Sequence, residues 1–329
     1  MLFKINISNI KVIMRYPFRI IRRTAKTLVF SPLLNIKIFL TRNNIIHPYG
    51  KDLLTGSSGN EKILKLLKEK GPFMATRIGS SELSCIYFYS MHRNKKISYP
   101  GLVRNEMSIL SGFFPNDDEN LDRFSELFLE RIEDTDIMGV WFNRGEDFIC
   151  RHFCRGAAII ELRALEPYYY NNPWSRGLAK KKVLVIHPFA DSIISQYNNN
   201  RNLLFENKNM LPDFELITLK AVQSYGNIQT GFQNWFDALH DMEQKISSMD
   251  FDVAIIGAGA YGLPLASFIK RLGKAAIHMG GATQILFGIK GSRWDNHRVI
   301  SELYNKYWVR PSDSETPVYY KNIDHGCYW

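Results

Sequence analysis

The stretch Phe251-Asp-Val-Ala-Ile-Ile-Gly257-Ala-Gly259-Ala-Tyr-Gly262 joins an apolar run of strand length to a glycine-rich turn and the start of a helical pattern. In a G-x-G-x-x-G turn of this kind, the glycines let a diphosphate approach the free backbone N–H groups at the N-terminus of the following helix. The spacing therefore predicts a phosphate site at Gly257, Gly259 and Gly262. The alternative is that the glycines serve only the close packing of the helix against the strand.

On both sides of this unit, apolar runs alternate with longer stretches of helical period, as in βαβ units. The predicted strands are residues 73–78, 137–142, 182–186, 214–219, 252–256 and 274–279. The predicted helices are residues 61–70, 82–92, 120–133, 192–204, 235–249 and 263–272. Residues 55–60, Thr-Gly-Ser-Ser-Gly-Asn, have the composition of a turn before the first helix. The chain is predicted to be α/β, with a largely parallel sheet and helices on both faces, in one domain over residues 52–329.

The basic residues are unevenly distributed along the chain. The protein has 42 Lys and Arg against 32 Asp and Glu, and ten of the basic residues lie in residues 1–51, which contain no acid. Residues 52–329 are therefore formally neutral, with 32 residues of each sign. The positive excess, which would otherwise suggest a nucleic-acid ligand, belongs to one segment, and no nucleic-acid partner is predicted.

Placed on a helix, residues 4–29 separate into a basic face and an apolar face. The basic face carries Lys4, Lys11, Arg15, Arg19, Arg22, Arg23 and Lys26. Such a pattern is typical of a helix that lies on an anionic membrane surface, here with a kink at Pro17. The longest uncharged stretch, residues 27–36, is far shorter than the roughly 20 residues that cross a bilayer. An organelle transit peptide, or a basic helix docked on this domain or on an acidic protein, is the alternative.

The four cysteines show no disulfide-type spacing and fit a reducing compartment. Cys150-Arg-His152-Phe-Cys154 would bring two thiols together on a helix. A structural zinc site needs about four ligands, and no second cluster supplies them, so core cysteines are favoured.

Ligands of an open parallel sheet bind beyond the carboxyl ends of its strands, and the predicted strand ends carry polar residues and glycines. Arg77-Ile-Gly79-Ser80-Ser81-Glu82 offers a carboxylate that would coordinate Mg²⁺ or Mn²⁺ or act as a base. His187-Pro-Phe-Ala-Asp191 offers Asp191 as the base for an acceptor hydroxyl. In both segments the alternative is a plain helix N-terminus, with Ser80 or Ser81 as the N-cap of one helix and Asp191 as that of the other.

Four further residues near strand ends are candidate contacts for sugar or phosphate, because amide and guanidinium groups make directional hydrogen bonds. They are Arg144, Gln223, Gln284 and Arg293. The aromatic-rich tail from Trp308 to Trp329 is predicted to dock on the domain, because disordered tails are usually poor in aromatic residues.

A dinucleotide site also needs Asp or Glu about 20 residues after the glycine turn, at the end of the next strand, to bind the ribose. That strand ends in His278-Met-Gly280-Gly281, so NAD is not expected. An oxidoreductase or methyltransferase that uses the turn for another nucleotide cofactor is one alternative function.

Taken in order, these segments resemble those of GT-D-type glycosyltransferases and the GT-D-like domains of bacterial surface-polysaccharide loci. The resemblance is carried by residues 77–82, 187–191, 257–262, 280–284, 287–291 and 326–329. It implies a Rossmann-like fold and the transfer of a sugar from a nucleotide-diphosphate donor. The donor-binding residues that it implies are Arg77, Gly79, Ser80, His187, Gly257, Gly259, Gly262, Gly280, Gly281 and Gln284.

The family holds its metal, Mn²⁺ or Mg²⁺, with an Asp-x-Glu pair. Here Ser80 occupies the position of the Asp, and only Glu82 of the pair remains. Serine is a weak ligand for these ions beside a carboxylate. Three outcomes stay open: a metal held by Glu82 and other groups, an enzyme that works through arginine and backbone donors without a metal, and a domain without activity.

The sequence thus predicts a bacterial glycosyltransferase that moves a hexosyl or related sugar from a nucleotide-sugar to a lipid-linked glycan, in O-antigen or capsule assembly. Glu82 and Asp191 are the expected catalytic residues, and Arg144, Gln223 and Arg293 the expected acceptor or sugar contacts. Residues 1–51 would hold the enzyme on the cytoplasmic face of the inner membrane. A non-catalytic partner in a polysaccharide assembly complex is the remaining alternative.

Overall fold

Short apolar runs form the strands of one sheet. In this computed structural model the described residues are 30–95, 97–224, 230–318 and 320–329. The strands are β1 (Leu53–Leu54), β2 (Phe73–Arg77), β3 (Ile137–Val140), β4 (Ala158–Glu161), β5 (Lys182–His187), β6 (Glu215–Lys220), β7 (Val253–Ile256) and β8 (Ala275–His278).

The α-helices of the described residues precede the first strand, connect successive strands or, in one case, follow the last strand. They are α1 (Phe30–Arg42), α2 (Gly56–Glu69), α3 (Ser80–His92), α4 (Gly101–Ile109), α5 (Asp118–Ile132), α6 (Glu146–Phe153), α7 (Ala190–Leu204), α8 (Trp235–Ser247), α9 (Gly262–Arg271) and α10 (Thr283–Leu286). Single turns of 3₁₀ helix dominate the C-terminal part, from Ser292 to Gly326.

The sheet is parallel throughout, with the strand order β1-β4-β3-β2-β8-β7-β5-β6. Its central strands are buried on both faces, because alternate side chains of a strand point in opposite directions. In β5, Leu184 and Ile186 belong to the core under α3, α5, α8 and α9. Val183 and Val185 belong to the core under α2, α7 and the C-terminal segment. This Rossmann-like α/β architecture agrees with the predicted fold class.

All strands are parallel, but the chain leaves the neighbouring strands β5 and β7 toward opposite sides. It continues from β5 to β6 at the edge of the sheet, and from β7 to β8 toward its centre. The boundary between β5 and β7 is the reversal point. Helix α7, which follows β5, packs on one face of the sheet through Ile193 and Tyr197. Helix α9, which follows β7, packs on the opposite face through Leu263 and Ile269. The loops after two such strands separate, and a crevice forms between them at the carboxyl ends.

The six predicted strands and six predicted helices are all present, with ends that shift by a few residues. Strands β1 and β4 were not predicted and are recognised through their pairing. Helices α1, α4, α6 and α10 were not predicted either, and all of these except α1 have fewer than ten residues.

The turn predicted at residues 55–60 is wrong, because α2 begins at Gly56. Its glycines and polar residues serve tertiary contacts. An added Cβ on Gly59 would lie 2.7 Å from the Cβ of Ala164, so only glycine lets the helix pack this closely. The side chain of Asn60 is buried, donates to the carbonyl of Asn172 and accepts from the N–H of Trp174.

The chain forms two compact units, Met1–Pro48 and Tyr49–Trp329. The amphipathic helix predicted for residues 4–29 lies outside the described residues. Helix α1 of the first unit carries the exposed apolar side chains Leu33, Ile36 and Phe39. Among the described helices, none combines the length and the apolar character needed to span a bilayer.

Candidate functional site

A cleft opens at the carboxyl ends of β5, β7 and β8, at the reversal point described above. It is lined by His187, Pro188, Phe189, Gln223, Gly257, Gly259, Gly281, Gln284, Tyr328 and Trp329. The space between these residues, counted together with the open mouth, is about 350 Å³. Six predicted site residues are therefore brought together here: His187, Gln223, Gly257, Gly259, Gly281 and Gln284.

The glycine turn after β7 has two physical roles. Gly259 adopts a left-handed conformation with φ of 54°, which turns the chain into α9. Gly257 and Gly262 permit close packing: an added Cβ on Gly257 would lie 2.5 Å from the His187 ring, and one on Gly262 would overlap the ring of His278. The packing interpretation thus accounts for two of the three glycines, while the backbone of Gly257 and Gly259 still faces the cleft.

Two buried histidines flank this turn. His187 ends β5, and its Nδ1 accepts a hydrogen bond from the N–H of Phe189 at 3.0 Å. His278 ends β8, and its Nδ1 lies 3.0 Å from the hydroxyl of Thr76. Burial lowers the pKa of His187 to about 3, and burial together with the charge of Arg77 lowers that of His278 to about 3. Both rings are therefore neutral near pH 7, so neither contributes a positive charge.

Gln284 lines the cleft and, within the described part of the chain, has a buried side-chain acceptor without a partner. Its side chain is fully buried, and its Nε2 lies 3.0–3.3 Å from the carbonyl oxygens of Ile289, Lys290 and Tyr328. Its Oε1 has no hydrogen-bond partner among the residues that the structure describes. A buried acceptor without a partner costs about 1–3 kcal/mol.

The predicted docking of the aromatic tail agrees with the structure. The ring of Tyr328 packs where a Cβ on Gly281 would lie, and the ring of Trp329 packs against Phe189 with centroids 5.7 Å apart. The indole N–H of Trp329 donates to the carbonyl of Glu315 at 3.0 Å. Because Tyr328 and Trp329 line the cleft, they limit the room for a nucleotide-sized ligand.

Arg77 stands at the end of β2, next to β8. Its guanidinium lies over the ring of Trp141, 4.4 Å from the centroid. On the other side, an added Cβ on Gly280 would be 3.5 Å from its Nη1, and Gly280 itself has φ of 67°. Arg77 is thus a cation at the carboxyl end of β2, close to Gly280, which follows β8.

Glu82 is buried in the first turn of α3, with its carboxylate folded against Gly79. Burial raises its pKa, while hydrogen bonds from its own N–H and from Ser111, and the charge of Arg77, oppose that rise. Ser80 is exposed. Within the described residues no group of three or more His, Cys, Asp or Glu side chains could hold a metal ion. Of the Asp-x-Glu pair that the family resemblance implies, this strand end therefore supplies one carboxyl group, and that group is buried.

A second carboxyl group near Arg77 was not predicted from the sequence. Glu166 follows β4, and its Oε2 accepts a hydrogen bond from the hydroxyl of Tyr168 at 2.9 Å. The same hydroxyl lies 3.5 Å from the carbonyl oxygen of Ala282 beside the cleft. Burial raises the pKa of Glu166, and Tyr168, Arg77 and Arg163 oppose the rise. Because β4 itself was missed, no sequence signal placed this residue at a strand end.

Asp191 lies on the surface of α7 and is not part of the cleft lining. Its carboxylate pairs with Lys220 at 3.6 Å, and both side chains are more than half exposed. The alternative that Asp191 caps α7 is wrong, because the helix begins at Ala190. The carboxylate of Glu315, from the C-terminal segment, accepts the N–H groups of Asp191 and Ser192 at 2.8 and 3.2 Å.

The remaining candidates are dispersed. Arg144 is exposed on the loop between β3 and α6. Arg293 is held within the C-terminal segment, where it pairs with Asp324 and lies over the ring of Tyr328, 4.7 Å from the centroid. Cys150 and Cys154 are buried free cysteines, as are the other two.

No protein-family model matches this chain, and comparison with curated proteins gives no match. Among solved structures, the chain is similar to one titled "Selenomethionine substituted structure of domain of unknown function 1792", with a TM-score of 0.41 and 12% sequence identity. The similarity covers 84% of this chain and 95% of that chain. At this level it supports no functional argument. The fold and the cleft by themselves define a Rossmann-like α/β protein with a candidate ligand site at the carboxyl edge of its sheet.

The neutral histidines make stability depend on pH. A histidine with an unfolded pKa of about 6.5 and a lower folded pKa destabilises the protein by about 1.4 kcal/mol per pH unit as the pH falls below 6.5. In urea unfolding between pH 7 and 5, we expect His187→Asn, which can still accept the Phe189 N–H, to remove about 1.4 kcal/mol per pH unit of this destabilisation relative to the unchanged chain. His240→Asn, on the exposed face of α8, is the control. Equal slopes in both variants would contradict the assignment.

Proposed function

We propose that this protein is a glycosyltransferase that uses a nucleotide-diphosphate sugar. One observation carries the proposal: the separate segments of the family resemblance meet at one edge of the sheet. Gly257 packs on His187 and on the carbonyl of Gly280, Arg77 approaches Gly280, and Gly281 packs on Tyr328. Segments that are up to about 250 residues apart in the chain thus form one surface, as a shared ligand site requires.

In this proposal the diphosphate binds at the backbone of Gly257 and Gly259, and Arg77 neutralises charge on the departing diphosphate. The acceptor hydroxyl oxygen attacks the anomeric carbon, the bond from that carbon to the diphosphate oxygen breaks, and the hydroxyl proton passes to a carboxylate. Glu166 is better placed than Asp191 to receive this proton, because it lies close to Arg77 and the cleft. We write no step through a metal ion, since Glu82 is the one carboxyl group of the family's pair that this chain has.

A donor that binds the folded state stabilises it by roughly 2.7 kcal/mol at a hundredfold excess over Kd, which raises the melting temperature by several degrees. We expect a thermal-shift screen of UDP-, GDP-, CMP- and TDP-sugars to find such a donor with or without Mn²⁺. Arg77→Ala should abolish the shift. Arg123→Ala is a matched control, because Arg123 also covers one aromatic ring, Phe236, at 4.3 Å.

No shift with any nucleotide-sugar would contradict the proposal. A shift with NAD or S-adenosylmethionine alone would favour the oxidoreductase or methyltransferase alternative. Donor binding without hydrolysis or transfer would favour a non-catalytic partner in polysaccharide assembly, which the burial of Glu82 and the presence of Ser80 would then explain.

The identity of the base is tested by two amide substitutions. A positioned general base contributes about 10²–10⁴-fold to the rate. In an assay of donor-sugar transfer or hydrolysis, we expect Glu166→Gln to lose activity by this order and Asp191→Asn to lose much less. The reverse order would return the role to Asp191. Circular dichroism on both variants checks that the loss is not due to unfolding.

We further propose that the acceptor is a lipid-linked glycan and that residues 1–51 hold the enzyme on an anionic membrane, on the cytoplasmic side of the inner membrane in a bacterium. The support is the acid-free basic segment and the exposed apolar side chains of α1. Membrane attachment would raise the effective concentration of an acceptor that is anchored in the bilayer.

Liposome flotation tests the membrane proposal directly. We expect the full chain to float with vesicles that contain anionic lipid, to float less at high salt, and to lose flotation when residues 1–45 are removed. The same vesicles made only of zwitterionic lipid are the control. Flotation that does not depend on residues 1–45 would contradict the proposal.

A further inference from the structure

Trp141, at the carboxyl end of β3, differs from every other tryptophan of the chain. All six tryptophans lie in the described residues, and Trp174, Trp235, Trp294, Trp308 and Trp329 are buried. Trp141 is 37% exposed. A large aromatic ring that is exposed at the ligand-binding edge of a parallel sheet costs hydrophobic free energy in the free protein.

The ring of Trp141 is nevertheless fixed in position. Its indole N–H donates to the carbonyl of Ile78 at 3.2 Å, and the guanidinium of Arg77 lies 4.4 Å from the ring centroid. The indole therefore has no free polar atom to offer a ligand. It offers an apolar surface. The orientation of the ring is set by its contacts with Arg77, the last residue of β2, and with Ile78, which follows it.

The backbone under Trp141 is held by a buried carboxylate. Glu146 is fully buried, and its Oε2 accepts the N–H groups of Trp141, Phe142 and Asn143 at 2.8–3.3 Å, as well as the hydroxyl of Tyr49 at 3.1 Å. Phe142 has φ of 63°, a conformation that a bulky residue rarely adopts. Strain of this kind persists where the surroundings enforce it and concentrates at ligand sites.

Trp141 also lies at a defined distance from the glycine turn. In the sheet, β3 is separated from β7 by β2 and β8. At a strand spacing of about 4.8 Å, three spacings amount to roughly 14 Å. A diphosphate at Gly257 and Gly259 would carry its sugar toward Arg77. Trp141 lies beyond Arg77, where the acceptor of that sugar would approach.

We propose that Trp141 is the stacking platform for a sugar ring of the acceptor glycan. The apolar C–H face of a pyranose packs on a flat indole, and this packing needs no hydrogen bond from the indole. Binding would cost little conformational entropy in the protein, because the ring is already held in place. The inference rests on the proposed glycosyltransferase function. Arg77 then contacts both the donor side and the platform, and Glu146 acts as a positioning residue that does not touch the ligand.

Fluorine NMR on protein labelled with 5-fluorotryptophan tests the platform, with the Trp141 signal assigned by its absence in Trp141→Phe. The probes are the methyl glycosides of glucose, galactose, mannose and N-acetylglucosamine and, separately, UDP, GDP, CMP and TDP. We expect at least one glycoside to move the Trp141 signal by itself, and the nucleotides to move it less, through Arg77, which contacts the ring. A Trp141 signal that moves with a nucleotide alone would overturn the proposal, because the ring would then stack a base.

Affinity for the active glycoside, measured by saturation-transfer NMR, gives the second readout. We expect Trp141→Ala to weaken binding about tenfold, the equivalent of about 1.4 kcal/mol, and Trp141→Phe to weaken it less because a flat ring remains. Phe39→Ala removes an exposed aromatic ring from α1 and is the control. Equal loss in the Trp141→Ala and Phe39→Ala variants would overturn the platform.

The two proposals fail separately. Nucleotide binding with no glycoside effect on Trp141 overturns the platform and leaves the transferase proposal intact. A glycoside effect on Trp141 with no binding of any nucleotide or nucleotide-sugar supports the platform and overturns the transferase.

Discussion

The central strands of this sheet are covered on both faces, and this constraint determines where polar chemistry is placed. Strands β5 and β7 send alternate side chains into two separate cores, so their exposed polar groups begin only where the strands end. At the reversal point between β5 and β7 the following loops part, and the crevice is formed by backbone and by residues from later segments. The candidate site is therefore a consequence of the strand order.

At the strand ends, ring side chains pack closely on glycines, which have no side chain to keep them away. Gly257 makes room for the ring of His187, Gly262 for that of His278, and Gly281 for that of Tyr328. A single added carbon at any of these positions would meet a ring. The glycine motif thus packs the crevice and exposes its backbone at the same time. These two roles, which are alternatives on sequence grounds, coexist in the fold.

The carboxyl groups near the site are held in surroundings that oppose their ionisation. Burial raises the pKa of Glu82 and of Glu166, and Arg77 is the cation that acts on both. Mg²⁺ in proteins is usually held by one or two carboxylates together with substrate phosphates and waters. At this strand end Glu82 is buried and Ser80 is exposed. Arg77 is thus the charged group that the two carboxyl groups have in common.

The main strands and helices were predictable from the sequence, because apolar period is a local property that survives in any tertiary context. The strand ends at Arg77, His187, Gly257 and Gly280 were predictable for the same reason. Asp191 was favoured as a base because nothing local shows that the carboxylate points away from the cleft. The residue that does accept the first N–H groups of α7 is Glu315. It could not be predicted from local sequence, because it is more than 120 residues away in the chain.

What the sequence alone determined is thus the α/β pattern, the basic segment and the order of the glycine and polar motifs, all of which depend on neighbours in the chain. Only the tertiary structure decided the pairing of β4, the approach of Glu166 to Arg77, the packing of Tyr328 on Gly281 and the exposed ring of Trp141. These four features depend on which distant segments of the chain lie next to each other in the folded sheet. The physical reason is that contacts between distant segments are properties of the folded packing, and the local apolar period does not show which segments meet.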